Sequence, residues 1–177
     1  MGYELGARFA GEVGSVACVA GARRPGARYR MRRRGESGAI CGIDFSAESV
    51  ATSLRKNAGA VAAGHCEVRQ GDVARLPYAD ASFDLVTAFE TVYFWPDVPA
   101  AFAEVFRVLG PSGVFSIVNE ESGDSRWCSI VDGMRTYTAD ALAEWLRAVG
   151  FVDVRSDVRA EGGALCLVAR KGPDSVA

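Results

Sequence analysis

The chain has 177 residues, of which 49% are hydrophobic, and a formal net charge of -2 at pH 7. This length is sufficient for one domain with a buried core and too short to predict two. No apolar run approaches the length of a membrane span, and Glu4 stands where a secretion signal carries positive charge. The sequence therefore predicts a cytoplasmic protein without a membrane partner.

Charge is distributed unevenly along the chain. Residues 1–34 contain eight arginines against Glu4 and Glu12, whereas the remaining residues contain 12 basic and 20 acidic side chains. Seven of these arginines lie between Arg23 and Arg34. Such a run can neutralise the phosphates of a nucleic acid, but mutual repulsion and low apolar content favour a solvated segment. We predict a degenerate or poorly ordered N-terminal segment at residues 1–38 and no nucleic-acid partner.

The five cysteines form no CxxC pair, and the single histidine, His65, has no second ligand pair at metal-binding spacing. This pattern is typical of reduced thiols, and it predicts no metal site.

A regular alternation of strands and helices begins at Ala39. An apolar run from this residue ends at Asp44, and Ser46 predicts the N-cap of a helix that ends near Gly64. Apolar side chains recur at helical spacing in between, at Val50, Leu54, Ala58 and Val61. Ligands of parallel sheets bind beyond the carboxyl ends of the strands, so Asp44 is placed to accept both hydroxyls of a ribose.

The alternation continues to the end of the chain. The predicted strands after Asp44 cover residues 66–70, 83–89, 114–118, 151–154 and 164–169, and two helices capped by Asp97 and Thr138 lie between them. A second acid, Asp72, follows the strand at 66–70. The pattern predicts an α/β fold with a Rossmann-like, doubly wound, mostly parallel sheet and an antiparallel terminal strand, over residues 39–172.

Five segments carry a family resemblance, in the order GIDFSAES, GDVARLPYADASFDLV, FETVYFWPD, EVFRVLGPSGVFSIVNE and YTADALAEWLRAVGF. Together they resemble the class I S-adenosylmethionine-dependent methyltransferases, especially the small-molecule group related to quinone C-methyltransferases. The resemblance runs from about Ala39 to Lys171. It implies an enzyme with S-adenosylmethionine as cofactor and a small molecule as methyl acceptor.

The resemblance also implies site residues. It assigns the ribose to Asp44 with Phe45 beside the adenine, and the adenine amino group to Asp72 with Val73 packed on the ring. The methionine end and the substrate mouth are assigned to Phe89, Glu90 and Tyr93. No catalytic residue is implied, because the sulfonium is already an activated leaving group and the protein mainly aligns the reactants and excludes water.

Some of these residues also have simpler structural interpretations. Asp72 could form a turn before Leu76 and Pro77, and Glu90 could cap backbone amides. The aromatic run Tyr93–Trp95 favours core packing over catalysis. His65 precedes its strand, on the side of the sheet away from the expected site, so we do not predict it to be a base.

One motif of the family is missing. In that family the first strand ends in an acidic residue and a glycine-rich turn, which allows the backbone to approach the cofactor closely. The corresponding segment here, Arg28–Gly35, reads RYRMRRRG. One choice of codons, CGA TAT CGG ATG CGG CGG CGG GGN, reads Asp-Ile-Gly-Cys-Gly-Gly-Gly one base later. We therefore hypothesise a frame-shifted copy of the glycine turn. The gap from Gly35 to Ala39 is too short for the family's first helix and requires a second shift or a deletion.

A second interpretation makes Val16–Ala20 the first strand, with Gly21 and Gly26 in a degenerate turn. In both cases arginines would repel a sulfonium. The sequence thus predicts a methyltransferase domain that is impaired by loss of the glycine turn. The alternative is a non-catalytic binding protein of the same fold that uses its Arg-rich segment on an acidic partner. A nicotinamide-dependent oxidoreductase would leave Asp72 unexplained.

Overall fold

The computed structural model of the protein describes residues 17–20, 40–120, 122–123, 126–159 and 164–173. Strands and helices alternate along these residues. The strands are β1 (Ala17–Ala20), β2 (Ile40–Asp44), β3 (Cys66–Gln70), β4 (Phe83–Phe89), β5 (Leu109–Asn119), β6 (Phe151–Val158) and β7 (Leu165–Lys171). The α-helices are α1 (Ala47–Lys56), α2 (Ala58–Ala62), α3 (Val98–Val108) and α4 (Ala139–Val149). Short 3-10 turns lie at Val73–Arg75, Val92–Phe94 and Arg126–Ser129.

The strands form two hydrogen-bonded sheets that lie side by side. One has the order β1-β2-β3 and the other β4-β5-β7-β6. β1 lies against β4, and among the described residues no ladder joins these two strands. β2 pairs with β3 and β4 pairs with β5 in parallel, whereas β7 runs antiparallel to both of its neighbours. The predicted α/β class, with a mostly parallel sheet and an antiparallel terminal strand, is confirmed.

The first strand runs in an unexpected direction. β1 is antiparallel to β2, with Ala17 opposite Ile43 and Ala20 opposite Ile40. The sequence did not indicate this direction, because a short apolar run has the same period of two in both directions. β1 also lies upstream of residue 39, where the sequence places the domain boundary. That boundary stays a prediction, and Arg23–Arg34 lies outside the residues that the structure describes.

The predicted long helix after Asp44 is divided into α1 and α2. Ser46 caps α1 as predicted, since its Oγ accepts from Ser49 N at 3.3 Å. The division lies at Asn57, whose backbone N keeps the helical bond to the Ser53 carbonyl at 3.0 Å and whose Nδ2 donates to the same oxygen at 2.9 Å. Within α1, Ser53 is buried, while Leu54, predicted on the buried face, is 36% exposed.

The largest part of the core lies between the second sheet and helices α3 and α4. Phe102 of α3 stacks edge-on against Phe115 of β5, with ring centroids 5.5 Å apart. Leu142 and Leu146 of α4 are fully buried in the same cluster. Asp97 and Thr138 cap the start of these two helices as predicted, and Gly150 ends the second with a left-handed φ of 115°.

Residues 110–113 form a bulge within β5. The register between β4 and β5 shifts there. Gly113 is required at this point, because a Cβ would lie 2.8 Å from the Gly110 carbonyl oxygen and 3.0 Å from Leu109 Cδ2.

Candidate functional site

The parallel strands β2 and β3 end side by side, and so do the parallel strands β4 and β5. The last residues of β2, β3, β4 and β5 are Asp44, Gln70, Phe89 and Asn119. Ala17, the first residue of the antiparallel β1, lies at the same edge, opposite Ile43. This carboxyl edge is where α/β sheets bind ligands, and it contains all the site residues that the sequence predicts.

Asp44 is a buried carboxylate at the end of β2. Its side chain is 8% exposed, and its Oδ1 accepts from Ser46 N at 2.7 Å. Its carbonyl oxygen accepts from Gly71 N at 3.0 Å, which joins the ends of β2 and β3. Burial raises the pKa of the Asp44 carboxyl above its usual range, although the bond from Ser46 opposes this effect. The fold therefore holds an acid at this edge at a cost in desolvation.

Phe45 follows Asp44 and is the most exposed of the large apolar side chains that the structure describes, at 70%. Its backbone is fixed, because its carbonyl oxygen accepts from Gln70 Nε2 at 2.9 Å. An exposed ring beside a buried carboxylate provides a flat apolar surface next to a hydrogen-bond acceptor.

Asp72 and Val73 lie at the start of the connection from β3 to β4. Asp72 is exposed, and its Oδ1 accepts from Ala74 N at 2.9 Å, which caps the 3-10 turn. The turn-forming interpretation is therefore correct for this oxygen. Val73 is partly buried and packs against the core cluster. A cofactor role for either residue stays a prediction.

Glu90 connects the ends of β4 and β5. Its backbone N donates to the Val118 carbonyl at 2.9 Å, and its Oε1 accepts from Glu120 N at 2.6 Å. The backbone-capping interpretation is thus correct for one carboxylate oxygen. Glu90 also has a φ of 55°, a left-handed conformation that is strained for a residue other than glycine and is often found at functional sites. Phe89, the residue before it, is buried at the same edge.

The aromatic run after β4 is mainly core. Tyr93 and Trp95 are buried, and Trp95 stacks edge-on against Phe102 at 6.1 Å, which confirms the packing interpretation for both. Phe94 is 39% exposed. His65 lies at the opposite edge of the sheet, as predicted, because its carbonyl accepts from Ile40 N at the start of β2.

The sequence did not point to Asn119 and Thr91. Both are buried near the carboxyl edge, at 1% and 8% exposure. Within the described part of the chain, neither Asn119 Oδ1 nor Thr91 Oγ1 has a hydrogen-bond partner. The position of Asn119 at the end of an apolar run was the signal that could have identified it. Buried polar atoms without a partner are rare, and these two add hydrogen-bonding capacity near the site.

The site carries several acids, but the described residues contain no cluster that could hold a metal ion. Asp44, Asp72 and Glu90 lie at the carboxyl edge, but no group of three or more histidine, cysteine or acidic side chains among the described residues could hold a metal ion. In the same residues no helix is long and apolar enough to cross a membrane.

Comparisons with known proteins identify the family of this chain. The methyltransferase domain family matches residues 17–117. The chain is 34% identical over 84 residues to a demethylmenaquinone methyltransferase of Lactobacillus johnsonii, covering 48% of this chain and 34% of that protein. It is 30% identical over 151 residues to the nocamycin O-methyltransferase of Saccharothrix syringae, covering 70% and 54%. The chain thus spans between about a third and half of the length of these relatives.

A solved structure shares the fold. A SAM-dependent methyltransferase of Thermotoga maritima, described as a possible histamine N-methyltransferase, superposes with a TM-score of 0.62 at 18% identity, covering 74% of this chain and 72% of that one. Because the family match includes more than half of the residues, the chain belongs to the methyltransferase domain family, whose cofactor is S-adenosylmethionine.

Proposed function

We propose that this chain is a small-molecule methyltransferase domain whose cofactor site is impaired. The observation that supports the assignment most directly is the buried Asp44 carboxylate beside the exposed Phe45 ring at the end of β2. A hydrogen-bond acceptor next to an open aromatic face suits a nucleoside, which has vicinal hydroxyls on one side and a flat base on the other.

The residues at this edge fit S-adenosylmethionine. Asp44 would accept from the ribose hydroxyls, and Phe45 with Val73 would flank the adenine. Asp72 would accept from the adenine amino group with the carboxylate oxygen that does not cap the turn. Phe89 and Glu90 would line the methionine end. The acidic edge is favourable for a ligand with a sulfonium and an ammonium group.

When bound, the cofactor supplies a methyl group that is already activated by its sulfonium. This chain's own residues therefore need only to bind, orient and exclude water. Glu90 contributes to orientation, because its bonds to Val118 and Glu120 fix the ends of β4 and β5 relative to each other. We assign no general acid or base.

The direction of β1 supports the proposed impairment. Ala20, the last residue of β1, lies opposite Ile40 at the amino end of β2. The carboxyl end of β1 therefore lies at the edge opposite Asp44, away from the proposed cofactor site. The Arg-rich segment Arg28–Gly35 lies outside the described residues, so its frame-shift origin remains a hypothesis.

The names of the relatives favour a small molecule as the methyl acceptor. The proteins compared above are named for methylation of demethylmenaquinone and of nocamycin, which are both small molecules. The exposed Phe94, which follows β4, adds an apolar surface that suits a planar acceptor. The finer assignment to the quinone C-methyltransferase group is part of this proposal.

A calorimetric titration with S-adenosylmethionine tests the proposal. The parent chain is compared with a repaired version in which residues 28–34 are replaced by Asp-Ile-Gly-Cys-Gly-Gly-Gly, and Asp44→Ala in each background is the matched control. We expect no binding or weak binding by the parent, micromolar binding by the repaired version, and loss of that binding with Asp44→Ala. Binding by both that is insensitive to Asp44→Ala would contradict the site assignment.

Binding by neither chain would contradict the methyltransferase proposal for this polypeptide. Salt-sensitive binding of RNA or DNA by the parent would then support the non-catalytic alternative, because release of counterions makes phosphate binding fall steeply with salt.

A further inference from the structure

Two side chains of α3 bind the connection from β3 to β4. Glu104 and Arg107 lie one turn apart on this helix, within the segment EVFRVLGPSG. No residue of this segment has been assigned to the candidate site. We call these two side chains the Glu104–Arg107 pair. Arg107 Nε donates to Glu104 Oε1 at 2.8 Å and Arg107 Nη2 donates to Glu104 Oε2 at 2.9 Å, so the pair is bidentate.

The pair binds both the backbone N–H and the backbone carbonyl of Leu76 in the connection from β3 to β4. Leu76 N donates to Glu104 Oε2 at 2.9 Å, and Arg107 Nη2 donates to the Leu76 carbonyl at 3.1 Å. Arg107 Nη1 also donates to the Tyr78 carbonyl at 2.8 Å and to Asp80 Oδ1 at 2.7 Å. Side chains of α3 thus satisfy backbone groups that would otherwise need a strand or water as partner.

The pair is itself held in place. Its side chains are less than a third exposed, at 23% for Glu104 and 31% for Arg107. They extend from a helix that the fully buried Phe102 and Val105 anchor to the core. Hydrogen bonding to Arg107 lowers the pKa of the Glu104 carboxyl, so the pair stays ionised at neutral pH.

The connection that it binds begins with two proposed cofactor residues. Asp72 caps the 3-10 turn at Val73–Arg75, and Leu76 follows that turn directly. The other end of the turn is fixed by Gly71 N, which donates to the Asp44 carbonyl at 3.0 Å. The turn is therefore held at Gly71 by β2 and at Leu76 by α3.

We propose that Glu104 and Arg107 are positioning residues that hold Asp72 and Val73 at the carboxyl edge of the sheet for nucleoside binding. This inference rests on the proposed function for the identity of the ligand. Arginine is required for the role, because its planar fork donates to Glu104, Leu76, Tyr78 and Asp80 at the same time, and a lysine ammonium cannot reproduce that geometry.

Arg107→Lys and Lys171→Met test this proposal as a matched pair. Lys171 Nζ donates to the Phe106 and Leu109 carbonyls at 2.8 and 2.7 Å, so it stabilises the end of the same helix through carbonyls that lie outside the connection. Amide hydrogen exchange is measured for residues 73–81 and, as an internal reference, for the core strands β4 and β5. Affinity for S-adenosylhomocysteine is measured by calorimetry in the parent and in the repaired chain.

We expect Arg107→Lys to accelerate exchange in residues 73–81 about tenfold or more relative to the core strands, as loss of a charge-assisted hydrogen bond requires. Lys171→Met should lower the melting temperature without this local change. In whichever chain binds S-adenosylhomocysteine, the affinity should fall about tenfold with Arg107→Lys and less than twofold with Lys171→Met.

Local exchange that is unchanged in Arg107→Lys, or equally accelerated in Lys171→Met, would overturn the proposal. Unchanged affinity despite accelerated exchange would overturn the positioning role. If neither the parent nor the repaired chain binds, the proposed function fails and the positioning role fails with it. The exchange data then decide separately whether the pair holds the turn.

Discussion

Asp44→Asn should stabilise the free protein while it weakens cofactor binding. Burial raises the pKa of the Asp44 carboxyl, which means that the folded state disfavours its charged form. Asparagine removes the charge and keeps an oxygen that can accept from Ser46 N, the contact that Asp44 Oδ1 makes at 2.7 Å. We therefore expect Asp44→Asn to unfold at a higher temperature than the parent at pH 7.

The melting temperature of Asp44→Ala is the reference for that of Asp44→Asn. Asp44→Ala removes the same charge but leaves Ser46 N without its acceptor, at a cost of about 1–2 kcal/mol for a partly buried amide. For a chain of this size, 1 kcal/mol corresponds to about 2–4 °C in melting temperature. Asp44→Ala should therefore melt roughly 2–8 °C below Asp44→Asn.

Calorimetric melting between pH 3 and pH 8 measures the effect of removing the charge and the effect of removing the hydrogen-bond acceptor. Because the folded pKa of Asp44 is raised, its contribution to stability is present in full below its ordinary pKa and is lost as the pH rises through the folded pKa. The advantage of Asp44→Asn over the parent should thus shrink toward low pH. If Asp44→Asn melts below the parent at pH 7 and together with Asp44→Ala, the charge stabilises the fold and our reasoning is wrong.

Three further outcomes are expected. Phe102→Ala should lower the free energy of unfolding by about 3–5 kcal/mol, because a fully buried ring leaves a cavity, and thermal melting would show a drop of roughly 6–20 °C. Gly113→Ala should cost about 1–3 kcal/mol in chemical denaturation, since its Cβ would lie 2.8 Å from a backbone carbonyl oxygen. Gly59→Ala, in a helix with open space around it, should be neutral or stabilising and serves as its control. Hydrogen bonding to Arg107 lowers the pKa of Glu104, so its stabilising contribution is complete above its ordinary pKa of 4.5 and is lost as the pH falls through the folded pKa. Glu104→Gln should remove that part of the acid dependence of melting, and an unchanged profile would contradict the assignment.

Local signals predicted much of the fold. Ser46, Asp97 and Thr138 cap helices where the sequence placed caps, because a side-chain oxygen at an N-cap satisfies backbone amides whatever the tertiary context. The acid at the end of β2 was equally predictable, since Asp44 directly follows an apolar run that is too short for a helix.

Features that depend on distant partners were not predictable in the same way. The direction of β1 depends on its pairing with β2, and the left-handed conformation of Glu90 depends on its contacts with Val118 and Glu120. The burial of Asn119 requires the strands and helices around it. Hydrophobic period and capping patterns are local, so they carry no information about these contacts.

The two sheets meet between β1 and β4, and among the described residues no strand ladder joins these two strands. Asp44 and Asp72 lie on one side of this boundary, and Phe89 and Glu90 lie on the other. Separation of the two halves would break no ladder between the strands that the structure describes, so it should need less free energy than unfolding either half. A ligand that contacts both halves would hold them together. Its binding should therefore suppress relative motion of the halves and couple their unfolding into a single cooperative step.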